Sequence, residues 1–170
     1  IEFKEHLVMG EKPEQNDYGV AFSQLHAIAL ADIDHNGVPD IITGKRFWAH
    51  AEHDPGSLEP AVLYWFQTVR EPGGRARFIP HRIDSNSGVG TQVEAGDLNG
   101  DGWADIVVGN KKGTFVFIHD AKEVDQRTWQ GAQPMPARPR TPQPAPNQSS
   151  DDGKDGIRAK SSEGRVLNLD

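Results

Sequence analysis

Two nine-residue stretches, Asp32–Asp40 and Asp97–Asp105, share the pattern Asp-x-(Asp/Asn)-x-(Asp/Asn)-Gly-x-x-Asp. Positions 1, 3, 5 and 9 carry oxygen-bearing side chains: Asp32, Asp34, Asn36 and Asp40 in the first, Asp97, Asn99, Asp101 and Asp105 in the second. Alternate residues of a tight loop can aim their oxygens at one point, and three converging carboxylates repel one another unless a cation lies between them. A cation that takes six to eight hard oxygen ligands suits such a set, which is the chemistry of calcium. The backbone carbonyls at position 7, Val38 and Trp103, would complete the sets, so two calcium sites are expected. Gly37 and Gly102 stand where the loop must turn sharply through a conformation other residues resist. The helix-flanked EF-hand is the nearest alternative, but it needs a bidentate glutamate at position 12, where this chain has Thr43 and Val108. A loop joining two strands is expected instead, the bland competitor being an Asp/Asn/Gly-rich turn that binds nothing.

A second group lies just after the first loop. Lys45, Arg46, Trp48, His50, His53 and Asp54 fall within ten residues. Imidazole and carboxylate there suit a transition metal, although the spacing matches no strong zinc signature. Trp48 with His50 and the two cations could instead stack on and hydrogen-bond a sugar or peptide. The remaining possibility is that these residues cap the fold or meet a part of the protein outside this chain.

The elements that would position these groups are short strands, with helical periodicity nowhere sustained. Strands are predicted near Phe3–Val8, Leu25–Ala31, Asp40–Gly44, Val62–Val69, Ala76–Ile83, Thr91–Gly96, Asp105–Gly109 and Thr114–His119. They belong to an internal repeat: Ala29 to Lys45 aligns without a gap onto Glu94 to Asn110, shifted by 65 residues. A shorter echo precedes each copy, Phe3-Lys-Glu-His6-Leu-Val matching Phe78-Ile-Pro-His81-Arg-Ile. Four strands per repeat point to blades of a β-propeller, about two of them, and two blades cannot close a ring. The fold class expected is therefore all-β, with four-stranded antiparallel blades and further blades supplied from a longer parent chain or by an assembly of several copies. In an up-and-down meander successive loops alternate between the two ends of the sheet. Both aspartate loops then share one end, and the long connections Met9–Gln24 and Lys45–Pro60 share the other. That second end is the candidate ligand face, where Tyr18 would join the Lys45–Asp54 group.

Composition limits what else the chain can be. Its 170 residues carry 18 Lys+Arg against 25 Asp+Glu, a net charge of −7. This repels phosphate backbones, so nucleic acid is not an expected partner. The longest apolar runs, such as Ala61 to Phe66, fall far short of the ~20 residues a membrane helix needs, so no membrane insertion is expected. Cysteine is absent, which removes disulfides, thiolate metal sites and cysteine nucleophiles. Half of the 12 prolines lie between Pro134 and Pro146, in a stretch without Val, Ile, Leu or aromatic residues. The expected organisation is a partial propeller over 1–132, a disordered Pro/Gln-rich linker over 133–150, and the start of a truncated domain over 151–170, with a strand at Arg165–Asp170. The chain opens at Ile1 without a leader pattern, so an export signal is expected to have been removed or left out. Trp65, Phe66, Phe115 and Phe117 are expected in the core between blades, and His6 and His81 in equivalent packing or hydrogen-bonding roles rather than as catalysts. Gly88-Val-Gly90 precedes a strand rather than opening a helix, which argues against a dinucleotide loop.

The stretches Ala31-Asp-Ile-Asp-His-Asn-Gly-Val-Pro-Asp-Ile-Ile-Thr-Gly44 and Gly96-Asp-Leu-Asn-Gly-Asp-Gly-Trp-Ala-Asp-Ile-Val-Val-Gly109 resemble the FG-GAP/VCBS repeats of integrin-α-like propellers. The resemblance covers about Phe3 to Asp120. It implies a secreted, periplasmic or cell-surface calcium-binding propeller fused to other extracellular modules. His35 at position 4, where the second loop has Gly100, departs from the pattern, and the Lys45–Glu59 insert has no counterpart after Gly109. The function expected is a non-catalytic module that binds a glycan or an extracellular protein. The alternative is the propeller part of a carbohydrate-modifying enzyme, lyase- or dehydratase-like, with a His/Asp site in the 45–60 loop. A third possibility is a calcium-stiffened spacer.

Overall fold

The structure, a computed structural model, describes residues 1–137, all of which fall within one compact unit. The expected linker beyond Ala137 and the expected strand at Arg165–Asp170 lie outside the described residues.

Seven strands form two antiparallel meanders. The first sheet runs β1 (Leu25–Ala31), β2 (Asp40–Lys45), β3 (Leu63–Glu71) and β4 (Arg75–Asp84), in that spatial order. The second runs β5 (Gln92–Gly96), β6 (Asp105–Asn110) and β7 (Gly113–Phe117). The all-β expectation holds, and the two sheets are arranged as partial propeller blades. Side chains alternate across a strand, and β1 shows why its sequence suits this place. Its alanines Ala27, Ala29 and Ala31 pack into the core between the sheets, where β1 lies beside β5. Ile28 and Leu30, on the opposite face, are mostly exposed. β2 is central and buried along nearly its whole length.

The core joins both sheets: Ile42 and Leu63 from the first meet Val89, Val93, Ile106 and Val108 on the second. Each such side chain contributes about 1.5–3 kcal/mol of burial. Trp65, Phe115 and Phe117 pack against this cluster as expected. Phe66 is buried on the other face of β3, where its ring stacks on Tyr64 and Tyr64 in turn on Phe22. The sheets are stapled where glycine is required. Val89 bridges Arg46 in parallel, and its N–H donates to the Lys45 carbonyl at 3.1 Å. A Cβ on Gly88 would lie 2.4 Å from that same carbonyl oxygen, and one on Gly90 only 1.9 Å from the Gly109 oxygen.

Three expectations need correction. Phe3–Val8 forms no strand, and Phe3 is 95% exposed. Its counterpart Phe78–His81 pairs along β3 through the Pro72-Gly73-Gly74 turn, whereas no neighbouring strand among the described residues accepts Phe3–Val8. An isolated strand cannot satisfy its own backbone. The sheets are consequently phased one strand later than the repeat suggests: the second echo closes the first blade as β4 rather than opening the second, which has three described strands. His6 and His81 therefore do not share a structural role. Finally, a short helix, α1 (Gln126–Ala132), follows the second sheet unforeseen, its first turn capped by the Asp125 carboxylate accepting from the Thr128 N–H at 2.8 Å.

Candidate functional site

Both aspartate loops join the first two strands of their sheets, at the same end of the molecule, and the second repeats the hydrogen bonding of the first almost atom for atom. In the first, the carboxylate of Asp32 accepts from the N–H groups of Asn36 (3.0 Å) and Gly37 (2.9 Å). In the second, Asp97 accepts from Gly100 (2.7 Å), Asp101 (3.2 Å) and Gly102 (2.9 Å). At position 5, Asn36 and Asp101 accept from the N–H of Val38 and Trp103, each at 2.8 Å. These bonds need the left-handed turn at position 6, where Gly37 has φ 80° and Gly102 φ 90°.

Position 9 does more than point into the loop. Asp40 is fully buried, and its two oxygens accept from the N–H of Ile33 (3.1 Å) and of Thr68 on β3 (2.7 Å). Asp105, also buried, accepts from Leu98 (2.8 Å) and from His119 just past β7 (2.8 Å). Each loop is thereby tied to the third strand of its own sheet. Burial pushes the Asp40 carboxyl above its usual range; the two backbone N–H groups oppose this, and the charges of Asp34 and Asp32 add to it. The Trp103 N–H and the Asn99 amide pull Asp101 the other way.

The donor set fits a hard divalent cation. Carboxylate oxygens of Asp32, Asp34 and Asp40 lie within 4.8 Å of one another. The second loop offers the same positions, with the neutral Asn99 where the first has Asp34. The Gln67 amide hydrogen-bonds Asp34 from β3. Beside the loops, a groove of about 460 Å³ runs between the sheets, lined by Ile33, Asp34, Trp65, Trp103, Phe117 and Trp129. Trp129 comes from α1, so nothing in the strand pattern announced it. On β4, His81 stacks on Trp65 (centroids 4.3 Å apart) with its Nε2 unpartnered. Burial lowers its pKa to about 4, against the opposing charge of Asp34.

The opposite end holds the second candidate group, with some of its members in unexpected places. Gln24 donates to Ser57 Oγ at 3.0 Å, joining the 9–24 and 45–60 connections as loop parity requires. Between them lies a pocket of about 1130 Å³ whose lining includes Arg46, His50, Asp54, His26, Glu59 and Met9. His50 Nδ1 contacts the Asp54 carboxylate there. Lys45 does not reach the pocket surface: it is 1% exposed, and its ammonium donates to Gln24 Oε1 (3.3 Å), the Ser57 carbonyl (3.2 Å) and the Arg46 carbonyl (3.5 Å). Burial pulls its pKa down. Trp48 bonds Glu52 (3.0 Å) and lies under the Lys111 ammonium, 4.3 Å from its ring centre, while Lys112 lies over Phe47. His53 is exposed outside the pocket lining. Tyr18 is elsewhere, its hydroxyl accepting from Arg77 of β4 at 3.2 Å. Trp48, His50, Ala51 and Glu52 all have positive φ, so this loop is held in a strained form by its contacts.

Residues 89–124 match the family model of the FG-GAP repeat. The match falls on the second sheet. The matched segment begins at the glycine-flanked staple, takes in β5 to β7 with their aspartate loop, and ends before α1. The chain is also 29% identical, over 116 residues, to integrin alpha pat-2 of Caenorhabditis briggsae, an alignment that takes in 57% of this chain. The chain spans 9% of the length of that relative. No solved structure gives a significant match.

Proposed function

We propose that the chain is a non-catalytic FG-GAP propeller module of an extracellular or cell-surface protein, stiffened by calcium in two loops, that binds a protein or glycan partner. The observation that carries the calcium part is the convergence of Asp32, Asp34 and Asp40 within 4.8 Å. In the first site Asp32, Asp34, Asn36, Asp40 and the Val38 carbonyl would hold the ion; in the second Asp97, Asn99, Asp101, Asp105 and the Trp103 carbonyl would. The ion supplies positive charge that relieves carboxylate repulsion, and the position-9 aspartates pass that rigidity to the third strand of each sheet. The integrin-like relative supports the extracellular setting and a longer parent chain.

The partner would meet the end formed by the 9–24 and 45–60 connections. A strained, well-contacted loop around an open pocket is pre-organised, which spares ordering cost on binding. Arg46, His50 and Asp54 offer charge and hydrogen bonds there, while Lys45 holds the two loops together from beneath. The His50–Asp54 pair keeps the enzyme alternative specific: His50→Ala with His53→Ala would abolish turnover in a sugar-modifying enzyme.

Titration calorimetry with calcium, and thermal melts in calcium and in chelator, test the calcium reading. Two sites and a raised Tm are expected, because a ligand that binds only the folded state stabilises it by about 2.7 kcal/mol at a hundred times its Kd. A folded chain that takes up no calcium refutes it.

A further inference from the structure

The imidazole of His35 and the indole of Trp103 lie face to face, centroids 3.8 Å apart and planes 3° from parallel. His35 sits between two of the expected cation ligands of the first loop, and Trp103 holds position 7 of the second. We propose that this pair couples the two loops, so that a divalent cation held in one raises the affinity of the other. The inference rests on the calcium reading above and deepens it.

His35 has φ 57°, a left-handed conformation that favours glycine. The second loop has glycine there: Gly100, at φ 82°, where an added Cβ would meet nothing within 4 Å. The first loop therefore keeps a side chain where its twin does without one. The contact that side chain makes is with the other blade. Among the described residues no hydrogen bond joins the two loops, so the ring pair is their direct polar-aromatic link. Trp103 carries the link onward. Its N–H donates to Asp101, and its ring meets that of His119 edge-on at 5.0 Å. The His119 N–H in turn is one of the two donors to Asp105.

The carboxylates of Asp32, Asp34 and Asp40, within 4.8 Å of one another, repel and oppose the closed form of the first loop unless a cation lies between them. The second loop carries three carboxylates at the matching end, Asp97, Asp101 and Asp105. A cation closes the loop and fixes the ring it carries. The full stack forms only when both loops are closed, so closing one favours closing the other, and the effect is reciprocal. A well-formed ring pair translates into a coupling of about 3- to 10-fold in affinity.

The test follows the Gly37 and Gly102 amides of the whole chain by ¹⁵N NMR during calcium titration, since each reports its own loop. Asp101→Asn weakens the second loop while keeping an acceptor for the Trp103 N–H. It is expected to raise the calcium midpoint at Gly37 by about 3- to 10-fold. In a His35→Gly background the same substitution should leave the Gly37 midpoint in place, and His35→Phe, which keeps a ring, should restore the effect. A Gly37 midpoint indifferent to Asp101→Asn, or shifted equally with His35 replaced by glycine, overturns the coupling while leaving calcium binding intact. Amides that ignore millimolar calcium overturn the calcium reading and the coupling together.

Discussion

Asp40→Asn separates the two roles of the position-9 aspartate, as cation ligand and as the clasp between loop and β3. The substitution changes almost no volume. It does convert one of two acceptor oxygens, both aimed at backbone N–H groups in a fully buried place, into an amide that can only donate. One buried N–H then faces another donor. An orphaned buried donor costs about 1–3 kcal/mol, and exchanging an ionised acceptor for a neutral one at the other bond adds about 1 more. The relief of no longer burying a charge, visible in the raised pKa of Asp40, takes part of this back. The net expectation is a loss of about 2–3 kcal/mol, or roughly 6–10 °C in Tm for a domain of this size.

The measurement is urea unfolding followed by tryptophan fluorescence in excess chelator, where lost cation binding cannot contribute. Asp32→Asn is the control. Asp32 also accepts two N–H groups, but in an exposed part of the loop where water can replace them, so it should cost less than about 1 kcal/mol under chelator. In calcium both variants should lose further stability. An Asp40→Asn variant within about 0.5 kcal/mol of Asp32→Asn in chelator would refute the clasp and leave position 9 as a ligand only.

Stability should also depend on His81. Its folded pKa of about 4 lies below the ordinary value of 6.5, so between these limits the unfolded chain binds the extra proton; stability is full above pH 6.5 and falls as pH drops toward 4. The shift corresponds to at most about 3 kcal/mol, and nearer 1–2 after discounting for partial exposure; pH-dependent melts should show this loss shrinking in His81→Phe. Gly90→Ala should destabilise by more than about 2 kcal/mol, because its Cβ meets the Gly109 oxygen, while Gly96→Ala, with open space around it, should stay within about 1 kcal/mol on chemical unfolding. Lys45→Met removes the ammonium and orphans the Gln24 and Ser57 acceptors; a loss of about 1–3 kcal/mol is expected, with the mostly exposed His50→Ala near neutral in the same assay.

Legibility in the sequence followed the physics of each feature. Strand positions and the two aspartate loops were readable because they rest on local rules: side-chain alternation, and a loop whose donors and acceptors lie within nine residues. The placement of both loops at one end, and of the two long connections at the other, needed only the parity of a meander. Local reasoning failed where a partner decided the outcome. Phe3–Val8 carries the same echo as Phe78–His81, yet only the latter has β3 beside it. Lys45 reads as a cation on a binding loop, but the acceptors that bury it come from residues 24, 46 and 57. Tyr18 lies near the right loop in sequence and beside Arg77 in space.

His35 shows both sides of this. Its oddity was legible, a histidine where the sister loop has glycine. Its purpose was not, because the ring that answers it belongs to a residue 68 positions away. A repeat comparison finds the residues that differ between copies. In a ring of blades those differences concentrate where one copy touches the next, since identical copies share everything internal but each copy's neighbour contacts are its own. Departures from the repeat are therefore where contacts between blades should be sought first, and His35 and the Lys45–Glu59 insert, the two clearest departures, both reach the second sheet, through Trp103 and through Lys111.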